Sequence, residues 1–350
     1  MMHSFQIKLR RLCVVLVGAV FYVAGMLKLI DPVGTGLIVT EYLKFMPLGW
    51  MMPAAKAIGV VLTLLETLTG AAMLAGLWRR VLSYLVPVLM GFYTLLTLAL
   101  VIFNPQMDCG CFGEAIHLTH VQSFIKNVVL LALTLVGYIP IRTGVQPRTA
   151  KFVVFAIVAA LSLGLCIHSL RSVPIVDFTE YSPGAELAGK WDGPQDGDAP
   201  ILSFTDEYGQ YMDSLAVEEG VLAVTVYDPL KLGWKEWSRV SQAVTDALCT
   251  GLQPLLLVPC LDGVPTDLVD YVYFSDYKQL ITLNRSNGGY TLISDGVVIG
   301  KWPNRRPLGM ERLDKMARDG HMETYASRTV YGRVTLQAIL LLTVAALLLA

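Results

Sequence analysis

The chain has 350 residues, of which 54% are hydrophobic and 16% charged, and its mean hydropathy is +0.56. Soluble globular proteins carry roughly 25% charged residues, so this composition excludes an ordinary soluble enzyme, and it is far too hydrophobic for a disordered chain. The formal net charge of -1 hides two unlike halves: residues 1–171 hold thirteen Lys and Arg against five Asp and Glu (+8), and residues 172–350 hold fourteen against twenty-three (-9). No part is both soluble and strongly basic, so nucleic acid is not an expected partner.

A membrane-spanning helix needs about 20 mainly apolar residues. Five such runs lie in the first half, at Leu12–Ile30, Pro53–Leu77, Val81–Phe103, Phe124–Ile141 and Phe152–Leu170, and a shorter sixth closes the chain at Val334–Ala350. Lys8, Arg10 and Arg11 precede the first run, Arg79 and Arg80 separate the second and third, and Arg142, Arg148 and Lys151 separate the fourth and fifth. Basic short loops stay cytoplasmic, so the N-terminus is expected inside. The loops Asp31–Met52 and Asn104–Ser123 and the long segment 172–331 are then expected outside. No small-x-small cleavage site follows the first run, so it reads as a retained span, not a signal peptide.

The outer segment is long enough for one domain. Val173–Gln210, rich in Pro, Gly and Asp, reads as a linker with edge strands. Gly220–Asp228 reads as a buried strand, Trp234–Thr250 as a helix, Gln253–Cys260 as a second strand, and Leu268–Phe274 as the start of a further helix or strand. Tyr290–Ser294 and Val297–Lys301 flank an Asp295-Gly296 hairpin turn, and Leu308–Arg318 forms a last helix. This order resembles a thioredoxin-like domain. That redox family places Cys-x-x-Cys at the start of the first helix, where this chain has Tyr227–Trp237 without cysteine, and a cis-proline where this chain has Asn287-Gly-Gly-Tyr290. The expectation is a redox-dead binding domain; a generic α/β domain is the alternative.

Six cysteines fall in distinct settings. Cys13 and Cys166 lie inside spans and read as small core residues. Cys249 and Cys260 lie in the outer domain, where an oxidising compartment permits a disulfide. Cys109-Gly110-Cys111 occupies the outward loop after the third span. Two cysteines one residue apart close only a small, strained disulfide ring, which is readily reduced. That pattern suits electron transfer between a protein thiol and a quinone, through thiolate attack and a mixed disulfide. Two other readings stand beside it. His117 and His120 extend the pattern to Cys-x-Cys-x5-His-x2-His, whose thiolates and imidazoles suit zinc or copper, and the pair also reads as a static disulfide or two free thiols.

Glu66 sits in the middle of the second run. A carboxylate there costs several kcal/mol unless paired or protonated, so it is a candidate for a quinone or proton path, or else a helix-packing hydrogen bond. Lys28 lies at the outer end of the first run, close enough to Asp31 for an interfacial ion pair and cap; with Glu66 it completes the candidate path. Lys126 and Asn127 open the fourth run.

Three motifs now combine: Gly25-Met-Leu-Lys28-Leu-Ile-Asp31-Pro32; Glu66-Thr-Leu-Thr-Gly70 with Leu74-Ala-Gly76-Leu-Trp-Arg79; and Asp108-Cys-Gly-Cys-Phe-Gly113. Over about residues 10–142 they resemble the DoxX-like superfamily and, within it, the methylamine-utilisation MauE family, whose sharper mark is the Cys-Gly-Cys-Phe-Gly loop. The resemblance implies a small helical bundle with Cys109 and Cys111 as its redox pair. It also implies a role in disulfide formation or electron transfer outside the membrane, since MauE is thought to support maturation of a disulfide-rich enzyme subunit. The fifth span, the outer domain and the sixth span depart from that family.

The expected architecture is an α-helical membrane bundle of about six helices plus an α/β thioredoxin-like extracytoplasmic domain. It divides into a four-helix module (1–145), a fifth helix (146–171), the outer domain (172–331) and a sixth helix (332–350). The expected protein lies in a bacterial inner membrane as a candidate thiol–disulfide oxidoreductase. Its expected partners are the lipid bilayer and an extracytoplasmic thiol protein or thioredoxin-like protein, with quinone as the candidate cofactor. The alternatives are a scaffold whose outer domain binds a partner, and a metal-handling protein.

Overall fold

A computed structural model of the protein describes residues 2–138, 148–189, 199–319 and 322–349, with no side-chain description for residues 2–4 and 316–331. Arg142, the end of the fourth run at Ile141, the boundary at 145, residues 190–198 of the linker and the last residue Ala350 lie outside the described residues. The chain divides into two compact units, Met1–Leu170 with Thr335–Ala350, and Arg171–Val334.

The first unit is helical because its sequence is one apolar run after another. Its helices are α1 (Met2–Ile30), α2 (Pro32–Phe45), α3 (Ala55–Ala75), α4 (Arg79–Phe103), α5 (His120–Tyr138) and α6 (Thr149–Arg171). A short extended segment, β1 (Cys111–Glu114), lies between α4 and α5. The chain ends in α10 (Met322–Leu349). Six helices among the described residues are long and apolar enough to cross a membrane: Phe5–Ile30, Gly49–Ala75, Arg79–Phe103, His120–Tyr138, Thr149–Arg171 and Gly332–Leu349. The core is built on α1, with Val17, Tyr22 and Leu29 fully buried against Ala71, Met73 and Ala75 of α3 and Val86 and Met90 of α4. Val88 and Leu95 of α4 and Val129 of α5 remain exposed. Large apolar side chains turned outward along whole helices suit hydrocarbon and not water. This is an integral membrane protein of multi-pass design. Buried polar groups tie its helices: Tyr22 donates to Thr343 Oγ1 (3.0 Å), and Asn127 donates to Tyr93 O and Thr97 Oγ1 (3.2 Å each).

One segment differs from the sequence reading. The stretch Asp31–Met52 reads as a loop, yet most of it is α2. Asp31 caps it by accepting from Gly34 N (2.9 Å), and Pro32 occupies the first turn, where its missing N–H costs nothing. Fourteen residues are too few to span, which is why a search for spans passes over this helix.

The second unit is a three-layer α/β domain. Its strands are β2 (Val221–Thr225), β3 (Gln253–Val258), β4 (Val272–Phe274), β5 (Gly289–Ser294) and β6 (Val297–Trp302), in sheet order β4-β3-β2-β5-β6. Strands β2, β3 and β4 are parallel, β5 runs antiparallel to β2, and β6 runs antiparallel to β5. Alternate side chains feed two cores. Leu222, Val224, Leu256 and Leu292 face one with Trp237 and Val240 of α7 (Trp234–Cys249), and Val221, Ala223, Leu255 and Leu257 face the other with Leu280 and Leu283 of α8 (Tyr277–Leu283). Burial on both faces explains why β2 and β3 read as unbroken apolar runs. The hairpin turn at Asp295-Gly296 has φ of 50° and 76°, as its sequence predicts. The stretch Leu268–Phe274 resolves into a 3₁₀ turn at Thr266–Tyr271 followed by β4, and α9 (Met310–Asp319) closes the domain.

Candidate functional site

The site begins with the contact of α1 and α3. A Cβ at Gly25 would overlap Thr67, and one at Gly70 would overlap the backbone of Tyr22, so only glycine permits this approach. The two glycine-bearing sequence motifs are therefore the two sides of one close antiparallel contact. One turn beyond Gly25, that contact delivers Lys28 Nζ to Glu66 Oε2 at 2.7 Å, with side-chain exposures of only 13% and 9%. The expectation placed Lys28 with Asp31. The structure closes it onto Glu66, and the carboxylate that composition alone leaves isolated in the membrane has a partner.

The Cys109–Cys111 loop rests on α2. Gly110 has φ +61°, and a Cβ on it would stand 2.5 Å from Ile38 Cγ2. Conformation and space both demand glycine here. One helical turn along from Ile38, Tyr42 donates its hydroxyl hydrogen to Cys109 O at 2.8 Å and lies 3.8 Å from Cys109 Sγ. Gly113 N donates to Gly110 O (3.1 Å) and closes the turn. The two thiols are free, with Sγ atoms 2.8 Å apart. Sulfur must approach to about 2.05 Å to form a disulfide, so the backbone already holds the pair near bonding distance.

The two sulfurs differ chemically. Cys109 is buried, and its thiol is pushed well above the usual range by holding its proton in the hydrogen bond to Cys111 and by burial. Cys111 is pulled down to about 5, first by that same hydrogen bond and then by the ammonium groups of Lys126 and Lys28, which outweigh its own burial. One negative charge thus sits on Cys111 with two cations near it. Lys126 also lies over the Phe112 ring, 4.9 Å from its centroid. Burial and the neighbouring sulfurs push the Tyr42 phenol up, which keeps it a donor.

Both cysteines open onto a cavity of about 260 Å³ inside the bundle, bounded by all five helices from α1 to α5. Its wall is largely apolar, including Phe21, Leu62 and Met90, with Lys28, Glu66, Tyr93 and Lys126 as its main polar points. The Tyr93 hydroxyl is buried beside Glu66. Ser123 Oγ is buried near Cys109. Sequence reasoning found Cys109, Cys111, Glu66 and Lys28, and the structure gathers all four around one space. It missed Ile38, Tyr42 and Tyr93. The signal for α2 was present in its Asp-Pro start, and Tyr42 is one turn along from Ile38. Nothing in the sequence places Tyr93 against Glu66.

The histidines stand apart. His120 spends both ring nitrogens on Asn104 Oδ1 (3.2 Å) and Met107 O (2.9 Å), and His117 is exposed, 3.5 Å from Asp108 Oδ2. No cluster of three or more His, Cys, Asp or Glu suited to a metal ion occurs among the described residues. Cys13 and Cys166 are buried in the bundle core. In the second unit Cys249 ends α7 and Cys260 follows β3, both exposed free thiols. Strand β3 lies between them; six residues at about 3.3 Å each span ~20 Å, well beyond the ~7 Å that a disulfide tolerates. Between β2 and α7, in place of a cysteine motif, a short turn is clamped by Asn287. Its side chain accepts from Asp228 N (3.1 Å) and donates to Asp228 O (2.7 Å).

Residues 7–140 match the family model of methylamine utilisation protein MauE, and this stretch is a MauE-family membrane module. It contains every residue of the cavity site. No curated protein and no solved structure matches the chain.

Proposed function

We propose that the protein is a membrane thiol–disulfide oxidoreductase that works at the outer face of a bacterial inner membrane and supports disulfide formation in envelope proteins. One observation carries this reading: two free cysteine sulfurs 2.8 Å apart on a tight turn, with the Cys111 thiol pulled down first by the hydrogen bond from Cys109 and then by Lys126 and Lys28. A low-pKa thiol beside a second thiol is the arrangement that exchange requires. In its oxidised form the pair accepts attack by a partner thiolate on one sulfur. The other sulfur leaves as thiolate, and the partner's second thiol then displaces the mixed disulfide. The partner gains a disulfide, and Cys109 and Cys111 gain two electrons and two protons. The MauE-family module supports this direction, because that family is associated with maturation of a disulfide-rich subunit.

The basic ends of the helices support a topology with the cysteine loop and the second unit outside. The second unit is proposed as a thioredoxin-like domain without redox cysteines, serving recognition; its strand order and connection pattern support this. Trapping tests the whole reading. A Cys109→Ser or Cys111→Ser variant is expected to accumulate a mixed disulfide, formed when its remaining thiolate attacks the disulfide of an oxidised envelope protein, visible on a non-reducing gel and lost with dithiothreitol. A double Ser variant that keeps full function in the cell overturns the exchange reading and leaves the protein as a scaffold.

A further inference from the structure

The proposed exchange leaves the cysteine pair reduced, and the cavity beside it fits what would reoxidise it. We infer that this cavity binds a lipid-soluble quinone, which takes two electrons and two protons from Cys109 and Cys111. The inference rests on the exchange reading and adds its terminal electron acceptor.

Three features of the cavity carry it. The first is its size and lining. A dry cavity of roughly 150 Å³ accommodates benzene. The space of about 260 Å³ here therefore holds a substituted six-membered ring with the start of an apolar tail. A mostly apolar wall with a few convergent polar groups is the ordinary form of a small-molecule site. The second is Tyr93. Its hydroxyl is buried on the cavity wall beside Glu66, and a buried hydroxyl needs an acceptor, at a cost of roughly 1–3 kcal/mol without one. A ligand carbonyl oxygen supplies that acceptor, and a quinone ring carries two. The third is charge. Cys111 and the ammonium groups of Lys126 and Lys28 share the same wall. The cations that hold the thiolate are placed to receive the negative charge that leaves it for a ring oxygen. An acyl chain would fit the apolar wall but would use neither Tyr93 nor the lysines.

The electron account closes. The Cys111 thiolate adds to the ring, and an electron pair moves onto a carbonyl oxygen. Cys109 then gives up its proton and attacks Cys111 Sγ. The carbon–sulfur bond breaks, its pair stays with the ring, and the Cys109–Cys111 disulfide forms. One proton comes from Cys109, and the other is the one Cys111 lost on ionising. Dithiol and quinone become disulfide and hydroquinone.

The test uses the full chain in lipid nanodiscs, reduced and freed of reductant. Ubiquinone-1 is added, hydroquinone is followed by absorbance, and thiols are counted by alkylation and mass spectrometry. One ubiquinone-1 reduced per cysteine pair is expected, with loss of both Cys109 and Cys111 thiols and no turnover in Cys111→Ser. Tyr93→Phe is expected to raise the ubiquinone-1 concentration that gives half the maximal single-turnover rate about three- to tenfold, the loss of one hydrogen bond, with a smaller change in the maximal rate. Leu62→Trp, which fills the cavity, is expected to abolish ubiquinone-1 reduction. Oxidised glutathione is the parallel oxidant for the parent chain. If glutathione disulfide oxidises the pair but ubiquinone-1 does not, the quinone inference fails and the exchange reading stands. If neither does, the exchange reading falls as well. If ubiquinone-1 oxidises the parent chain, Tyr93→Phe and a folded Leu62→Trp equally well, the cavity is not the site.

Discussion

Cys109 and Cys111 are two residues apart and chemically opposite. The difference comes from what surrounds each sulfur. Cys109 faces the Tyr42 hydroxyl and the buried Ser123, which carry no charge, whereas Cys111 faces Lys126 and Lys28. Removing one cation should therefore raise the Cys111 thiol. In the reduced parent chain, alkylation of Cys111 by iodoacetamide, mapped by mass spectrometry, is expected to reach half its plateau near pH 5 and to stay high above it, because the thiolate persists at every pH above its own pKa. In Lys126→Met the same half-point should move up by about one to three pH units, the usual effect of an adjacent opposite charge. Reactivity at pH 6 should fall while reactivity at pH 9 stays close to the parent. An unmoved profile would remove Lys126 as a source of the thiolate. The Lys28–Glu66 pair belongs to the same balance: Glu66 neutralises part of the charge of Lys28, leaving Lys126 as the cation least shared with a carboxylate.

At the scale of elements, α2 shows what was readable and what was not. Long apolar runs announce spanning helices through composition alone, and six candidate spans stand on the six runs among the described residues, the first beginning at Phe5, seven residues before the expected Leu12. The strands of the second unit were readable because burial on both faces leaves uninterrupted Val and Leu. Cys109, Cys111, Lys28 and Glu66 were readable as residues whose chemistry is out of place in hydrocarbon. Their mutual placement was not, because it depends on glycines that let α1 and α3 touch and on a short helix whose burial comes from the bundle and not from its own periodicity. Gly110 is where that dependence can be tested. Gly110→Ala forces a left-handed conformation that costs an L-residue roughly 1–2 kcal/mol and drives a methyl group against Ile38. The turn should open, and equilibration with a glutathione buffer should leave more of the pair as dithiol than in the parent chain. Adding Ile38→Ala should recover part of the disulfide, since it relieves the overlap and leaves the backbone penalty. No shift in Gly110→Ala would show that α2 does not position the pair.

The charge division of the whole chain reflects two folding problems solved by two kinds of core. The first unit leaves large apolar side chains outside, which requires lipid. The second has its own two cores, one on each face of a five-stranded sheet, and needs none. Its Lys301–Asp177 pair, 2.6 Å apart and almost wholly buried, holds Asp177 below the usual carboxylate range against the cost of burial. Residues 171–334 produced without the membrane helices should therefore be soluble, with the circular dichroism of an α/β domain and one cooperative thermal transition. A soluble product without a cooperative transition would mean that the cores are incomplete without the membrane unit. The same fragment tests the redox assignment at the scale of the molecule. Cys249 and Cys260 are exposed at opposite ends of β3, so both should react with a chromogenic disulfide reagent without denaturant, and neither should form an internal disulfide on oxidation. Two reactive thiols that cannot pair leave the second unit unable to take two electrons by itself. An internal Cys249–Cys260 disulfide in the folded monomer would move the redox centre out of the membrane unit and into this domain.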